Sequence, residues 1–456
     1  MTPQECLAAV LAAATTTQCV AAVTSSHSEN IRWANSTPTT NGDTSSRHLT
    51  ITAVAEVPDG WAAGTRTGRP EDWRTLLAAA EADARAGAPA REGNALPAGA
   101  GDGFVDPAFD QPEGTAGAGV DLAALAAAFA DPSWRLFGYA EQEVSTTYVA
   151  TSTGTRLRLP AGDARFELSA KTHDFTRSAW HGAAGQHLAE IDVDAAVADV
   201  RAGLAAQEHR LEVAAEPRTV VLTPSAVADL MIIWWWNAQA RDAAEGHSPF
   251  SDARGPAGTA IGRRLSGRRL QLRSDPAAPG LTSPDRLWVP WSGSAATVFD
   301  TGVSIRGVDW IDNGVLASLA ATRAGAAELG LPVVVSAENL ILTDAAGSGS
   351  LAEVIARTDD ALLITSLWYL RDVDPQTMLV TGLTRDGCYG IREGRLLGAA
   401  GNFRFNDSPL MLLDRIVDAG ASVRCLPREW ADDFTRTVMP PLTIRDFGLS
   451  TPSVAV

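Results

Sequence analysis

The chain has 456 residues, an apolar share of 45% and a formal net charge of −17, which predicts two or three domains with a sizeable core and speaks against a protein that grips nucleic-acid phosphates, since that needs a basic face. No apolar run approaches the roughly 20 residues of a membrane-spanning helix; the longest surrounds Leu230 to Trp236. Four scattered cysteines (Cys6, Cys19, Cys388, Cys425) without a CxxC pair suit free thiols in a reducing cytoplasm, and the Ala-, Gly- and Arg-rich composition suits a GC-rich bacterial genome.

Residues 1–20 lack the basic start of a secretory leader and carry Glu5, so they predict a first helix. Residues 30–34 and 48–55 read as strands around a polar turn at Asn41-Gly42-Asp43. Arg32 and Asn35 are polar positions in or beside a strand that carries Ile31 and Trp33. They are candidates for a substrate channel or an interface, set against a plain solvated strand face. A helix follows over residues 69–84, with Pro70 early and acids in its first turn. Residues 87–119 form a Gly-, Ala- and Pro-rich loop, and 120–130 a short helix. Residues 136–172 read as a three-stranded meander turning at Ser152-Thr153-Gly154 and at Pro160 to Asp163. A helix over 193–206, with Val197, Val200 and Leu204 on one stripe, closes the first domain. The boundary near residues 215–217 divides 1–215 from 216–456.

The second domain opens with a buried strand at 218–222. Thr223 then caps a helix with Pro224 at its first position, expected to run to about residue 244. Val227, Leu230, Met231 and Trp234 form its buried stripe. Three consecutive tryptophans cannot share one helix face, so Trp234, Trp235 and Trp236 are interface candidates. The basic run at 263–269 reads as a solvated hairpin, and a helix lies near 317–329. Residues 359–405 alternate short apolar runs with turn signals at Asp374-Pro375, Asp386-Gly387 and Glu393-Gly394, the rhythm of consecutive antiparallel strands. Thr381, Gly382 and Arg385 lie in that stretch and are further channel or interface candidates. A helical tail over 411–419 and a last strand over 443–447 end the pattern. The fold class is α+β: N-terminal α/β layers with antiparallel strands, then a C-terminal domain dominated by antiparallel, barrel-like strands with a few helices.

Chemistry is sparse. None of the seven histidines (His27, His48, His173, His181, His187, His209, His247) sits in HExxH, and there is no nucleophile elbow or Walker loop. The residues alone show no self-contained active site.

Several short stretches, in order, resemble the TldD/TldE (PmbA) family, once called modulators of DNA gyrase. They are Ile31-Arg32-Trp33-Ala34-Asn35, Tyr148 to Gly154, Val220-Val221-Leu222-Thr223-Pro224, Trp310 to Leu316, Val380-Thr381-Gly382 and Gly390 to Leu396. The resemblance implies a cytoplasmic two-subunit metallopeptidase that trims unfolded or short peptides and matures some peptide natural products. In it the TldD-type subunit carries HExxxH on the helix after the Val-Leu-x-Pro strand, completed by a cysteine near the C-terminus. In the register of Pro224, the positions of the two histidines and the glutamate hold Ile232, Asn237 and Ile233. Isoleucine neither ligates a metal nor moves a proton, and Cys425 alone makes no zinc site. The chain is therefore similar to the TldE-type, metal-free subunit: no cofactor of its own, zinc in a TldD-like partner, no nucleic acid and no membrane. The other readings are a stand-alone peptide-binding or regulatory homodimer and an enzyme that uses Cys388 or Cys425.

Overall fold

The computed structural model describes residues 1–98, 104–113 and 123–453. The parts of the expected loop and short helix at 99–103 and 114–122 lie outside the described residues. The N-terminal half runs α1 (Pro3–Ala13), β1 (Gln18–Ala34), β2 (Thr37–Val57), β3 (Gly60–Gly68), α2 (Trp73–Ala86), α3 (Ala123–Ala130), β4 (Arg135–Thr151), β5 (Arg156–Lys171), β6 (Ser178–Gly185) and α4 (Val193–Ala206). Its six strands form one antiparallel sheet in the order β3-β2-β1-β4-β5-β6. Thr2 closes the start of α1 in a capping box with Glu5. Leu7 and Val10 of α1 pack with Leu77 and Ala80 of α2 against Val23, Leu49 and Ile51. A second cluster sets Val200 and Leu204 of α4 against Trp33, Leu136 and Phe166.

Two turns read from the sequence are not turns. Asn41, Gly42 and Asp43 lie inside β2, with Gly42 opposite Asn30, and the hairpin instead turns at Asn35-Ser36. Both turn residues have positive φ, 50° and 57°, as the two-residue hairpin turn demands. The polar run misleads because the arm continues where neither face is buried. Pro160 to Asp163 likewise stay in β5. There β6 pairs only with residues 164–171, so Pro160 needs no ladder partner on that side.

The C-terminal half runs β7 (Arg218–Leu222), α5 (Pro224–Trp236), α6 (Ala240–Ala244), β8 (Leu270–Ser274), β9 (Val308–Asp312), β10 (Val315–Leu316), α7 (Arg323–Leu329), β11 (Leu340–Asp344), α8 (Leu351–Ala356), β12 (Asp360–Asp374), β13 (Leu379–Arg392), β14 (Arg395–Ala399), β15 (Asn402–Asp407), β16 (Ile416–Ala419), β17 (Val423–Cys425), β18 (Thr437–Met439), β19 (Leu442–Phe447) and β20 (Leu449–Ser453). One sheet has the order β10-β9-β8-β11-β18-β17, the other β16-β19-β7-β12-β13-β15-β20 with β14 beside β13. Pairing is antiparallel except at β11–β18 and β7–β12. The α+β class holds, but the barrel-like strands form open sheets, none of which closes into a barrel among the described residues. The core shared by the two sheets surrounds α5: Leu272 and Leu342 from one, Leu222, Ile364 and Ile444 from the other.

Five further expectations change. The helix from Pro224 stops at Trp236, where the Asn237 side chain donates to the Ile233 carbonyl (2.9 Å) and competes with helix continuation. The chain then pairs through Gln239 with Ala320 before α6. Residues 317–322 are extended for the same reason, so α7 begins only after Thr322. Residues 411–415 make a single 3₁₀ turn followed by β16 rather than a helical tail. The basic run is no solvated hairpin. Arg268 pairs with Asp344, Arg263 donates to the Pro249 carbonyl (2.8 Å), and Leu265 and Ser266 are buried. Finally, Asp386-Gly387 is a bulge inside β13, opposite the register shift between Ile364 and Ser366 of β12. All four cysteines are free and buried. Among the described residues no helix is long and apolar enough to cross a membrane.

Candidate functional site

The site is built around α5. Thr223 opens the helix by accepting the Ala226 N–H and donates its hydroxyl to the Thr365 carbonyl (2.6 Å), which ties the helix start to β12. From Ala226 to Trp234 every residue is buried. One of these is a carboxylic acid, Asp229, with no solvent exposure. Its two oxygens accept the main-chain N–H groups of Arg428 (3.2 Å) and Glu429 (2.9 Å), and its own carbonyl accepts the Trp430 indole N–H (3.1 Å). Burial pushes Asp229 well above the ordinary carboxylate range, while those N–H bonds pull the other way. This buried acid holds the segment between β17 and β18 onto the helix.

Glu429 passes the connection on. Its carboxylate accepts the N–H groups of Tyr369 (2.8 Å) and Leu370 (3.2 Å) and the Arg371 guanidinium (3.1 Å). Tyr369 has φ of 54°, a genuine outlier for a bulky residue. It sits in the bulge where the β12–β13 register shifts between Trp368 and Arg371. β7 pairs with residues 362–364, so among the described residues β12 has no neighbouring strand on that side over residues 365–374, and Glu429 occupies two of the main-chain donors there.

Arg428 joins the two halves of the chain. Its guanidinium lies over Trp180 (4.7 Å) and Trp368 (4.8 Å), 2.6 Å from Glu167 of β5 and 3.4 Å from the buried Asp386 of β13. A planar cation between two indoles and two carboxylates suits arginine and not lysine.

The three tryptophans separate by depth. Trp234 is fully buried edge-on to Phe250 (5.0 Å), and its indole N–H has no acceptor among the described residues. It packs into the core of this chain, because each helical step of about 100° turns it inward. Trp235 is half-buried on Phe434 (5.3 Å), and Trp236 is 38% exposed and edge-on to Trp430 (4.8 Å). Tyr369 and Val373 are exposed on β12 nearby in the chain. Trp236 and Trp430 thus form an aromatic pair at the C-terminal end of α5, and Glu429, next to Trp430 in the chain, reaches the main chain of the β12 bulge.

The other candidates divide between this place and plain packing. Arg385 belongs here, over Trp368 (5.7 Å) and 3.9 Å from Asp386. Arg32 stacks on Tyr139 (5.1 Å), whose ring also carries Arg165 (4.8 Å), the partner of Asp432, so it approaches only indirectly. Asn35 sits in the hairpin turn and accepts from Arg135 (3.2 Å). Thr381 donates to the Phe405 carbonyl (3.1 Å). A Cβ on Gly382 would lie 2.7 Å from Leu370 and Phe405, so that position is glycine for close packing. Asp229, Arg428, Glu429 and Trp430 were not singled out by sequence. The one readable signal was a lone acid inside the apolar window of α5.

The residues in the register of HExxxH do not fit a metal. Ile232 and Ile233 are buried aliphatics, and the Asn237 amide is engaged with its own helix. Cys425 lies at the other end of α5, its Sγ 3.5 Å from the Pro224 carbonyl and 3.3 Å from Thr437 Oγ1. Pro224 and Ile232 are eight residues apart, about 12 Å along a helix axis. Burial pushes the Cys425 thiol up to about 12, which keeps it protonated. A cavity of about 510 Å³ between the end of α4 and β13 is lined by Arg177, Gln207, Arg210, Cys388 and Asn402. Burial likewise pushes Cys388 up to about 12, which keeps that thiol protonated.

Comparison with known proteins gives a family and a fold. The PmbA/TldA metallopeptidase C-terminal domain matches residues 216–451. No curated protein matches by sequence. Among solved structures, TldE from Thermococcus kodakarensis has a TM-score of 0.75 at 13% identity, covering 95% of this chain and 97% of that one. A Thermotoga maritima protein described as a modulator of a DNA gyrase has a TM-score of 0.75 at 14% identity, covering 98% and 100%. A similarly described protein from Bacteroides thetaiotaomicron has a TM-score of 0.72 at 13% identity, covering 98% of each chain.

Proposed function

The chain belongs to the PmbA/TldD metallopeptidase family, and on that premise we propose that it is a TldE-type subunit whose α5 carries no metal centre. It pairs with a TldD-like subunit bearing HExxxH and forms one wall of a chamber in which that partner cleaves unfolded or short peptides. The supporting observation is the donor set of α5: buried Ile232 and Ile233 and a self-engaged Asn237 stand in the register of the ligands and the base. Water activation and carbonyl polarisation fall to the partner's zinc.

What this chain supplies is binding and enclosure. The strand-free side of β12 suits an extended main chain, which a sheet edge takes up with little regard to side chains. The pair of Trp236 and Trp430 presents amphipathic rings to a peptide or to the partner's surface. Its acidic balance gives nucleic acid no docking face.

Co-expression with a TldD-like subunit, followed by size-exclusion chromatography and a peptide-cleavage assay, tests the reading. A stable heterodimer that cleaves, beside a single chain that does not, is expected. A chain that stays apart from such a partner, or that cleaves peptides by itself, would overturn it.

A further inference from the structure

We propose that a cavity at the end of β12 recognises the C-terminal end of a peptide. Its free α-carboxylate is held by Arg263 and Arg264, and its last side chain, a large apolar one, is seated on Leu265, Leu410 and Met411. The cavity measures about 590 Å³, within the range of about 300–1,000 Å³ of ligand pockets. Three stretches far apart in the chain build it. Pro249 and the run Arg263-Arg264-Leu265 form one side, and Leu410, Met411 and Asp414 another. Gln376 and Thr377, in the turn that follows β12, form the third.

The arginines carry the first argument. Arg263 donates to the Pro249 carbonyl (2.8 Å), and Arg264 to the carbonyls of Ser266 and Asn313 (3.2 Å each). Carbonyls fix the direction of both guanidiniums without neutralising them, and each keeps further N–H donors. Arg268 of the same basic run is paired with Asp344, whereas among the described residues neither Arg263 nor Arg264 has a carboxylate at ion-pair distance. Asp414 also lines the cavity, so two cations face one acid and a single negative charge completes the balance. A carboxylate fits that count, and a phosphate, with about 1.5 to 2 charges at pH 7, overshoots it.

The apolar side carries the second. Leu265 and Leu410 are buried, while Met411 is 62% exposed, a flexible thioether that adapts to differently shaped apolar groups. An acid and a large apolar group this close together describe a chain end, where one Cα bears both. An internal aspartate or glutamate spends its side chain on the carboxylate and leaves the apolar floor unfilled. Capture of a free carboxylate is a recurrent way to select such an end. The choice of a peptide as occupant rests on the reading of this chain as a peptide-binding wall. It adds a rule to that reading: short or already cut chains are preferred to loops of a folded protein, which offer no free end.

The test is a fluorescence-anisotropy titration of the purified full chain with a labelled peptide ending in leucine, as free acid and as C-terminal amide, and with the free acid ending in glycine. The leucine free acid should bind about tenfold tighter than the amide and about tenfold tighter than the glycine peptide. Arg263→Gln combined with Arg264→Gln should remove the preference over the amide, and Met411→Ser should shrink the preference over glycine, with circular dichroism as the fold control. If the arginine variant loses its fold, Met411→Glu sets a like charge on the exposed rim and should remove the acid-over-amide preference instead. No binding, equal binding of acid and amide, or a preference that survives these variants would overturn the site. A chain that pairs with a TldD-like subunit and supports cleavage without this preference loses the site alone, and one that shows the preference yet never pairs loses the subunit reading alone.

Discussion

The two ends of α5 are made of similar material and are put to opposite use. At its start every polar group turns inward: Thr223 to β12, Ser225 Oγ to the Leu426 carbonyl (2.6 Å), Cys425 to Pro224. At its finish aromatic rings stand half outside, and a single glutamate next to Trp430 in the chain holds a strand edge. Trp234 and Trp236 are the same residue two places apart, one sealed against Phe250 and one in solvent contact with Trp430. Residue type does not decide the role of such a ring; depth does. A helix can be anchored at one end so that the other is presented rigidly.

The largest expected effect attacks the sealed end. Trp234→Ala should lower stability by about 3–5 kcal/mol in urea unfolding, whereas Trp234→Phe should cost far less because the indole N–H has no acceptor. Equal losses from Trp234→Ala and Trp236→Ala would break the comparison. Next comes Arg428→Ala, expected to cost about 3 kcal/mol by removing the cation shared by Glu167 and the buried Asp386 and leaving Asp386 only the more distant Arg385. Arg428→Lys should restore only part of this, since it cannot lie flat between Trp180 and Trp368.

Asp229 gives a prediction with a sign. Its folded-state value is raised above the ordinary 3.8, so the native chain holds that proton more tightly than the unfolded chain does. Stability from this group is full below 3.8 and is lost as pH rises through the raised value. Asn cannot ionise, so the cost of Asp229→Asn should be greatest in acid and shrink as pH rises, read from thermal midpoints across pH. A smaller loss, about 1 kcal/mol, should follow Thr223→Ala. Smallest of all in stability is Trp236→Ala, within about 0.5 kcal/mol. It should nevertheless weaken association with a TldD-like partner, or peptide uptake by the pair, at least tenfold in a binding titration.

Much of this anchoring was legible in the sequence. The β7–Thr223–Pro224 junction carries its own grammar of strand, cap and proline, and α4 follows from the spacing of Val200 and Leu204. The end of α5 was only partly legible: Asn237 is a local signal, but the pairing of Gln239 with Ala320, about eighty positions away, is not. Nor was the Arg428 junction, whose partners Glu167 and Trp180 come from the other half of the chain. The arm of β1 and β2 was hidden for a different reason. A strand that buries neither face shows no alternation, and its Asn-Gly-Asp run imitates a turn.

Ile232 and Ile233 also limit what substitution can reach from this sequence. Writing HExxxH into α5 takes three changes, and the first two would set an imidazole and a carboxylate into a core that now excludes water. Each intermediate leaves an unpaired polar group at a cost of about 1–3 kcal/mol or more, against a total stability of about 5–15 kcal/mol. No single step gains a bound ion to offset that loss. A lineage with this packing is separated from a histidine- and glutamate-bearing α5 by a valley of poorly folded intermediates.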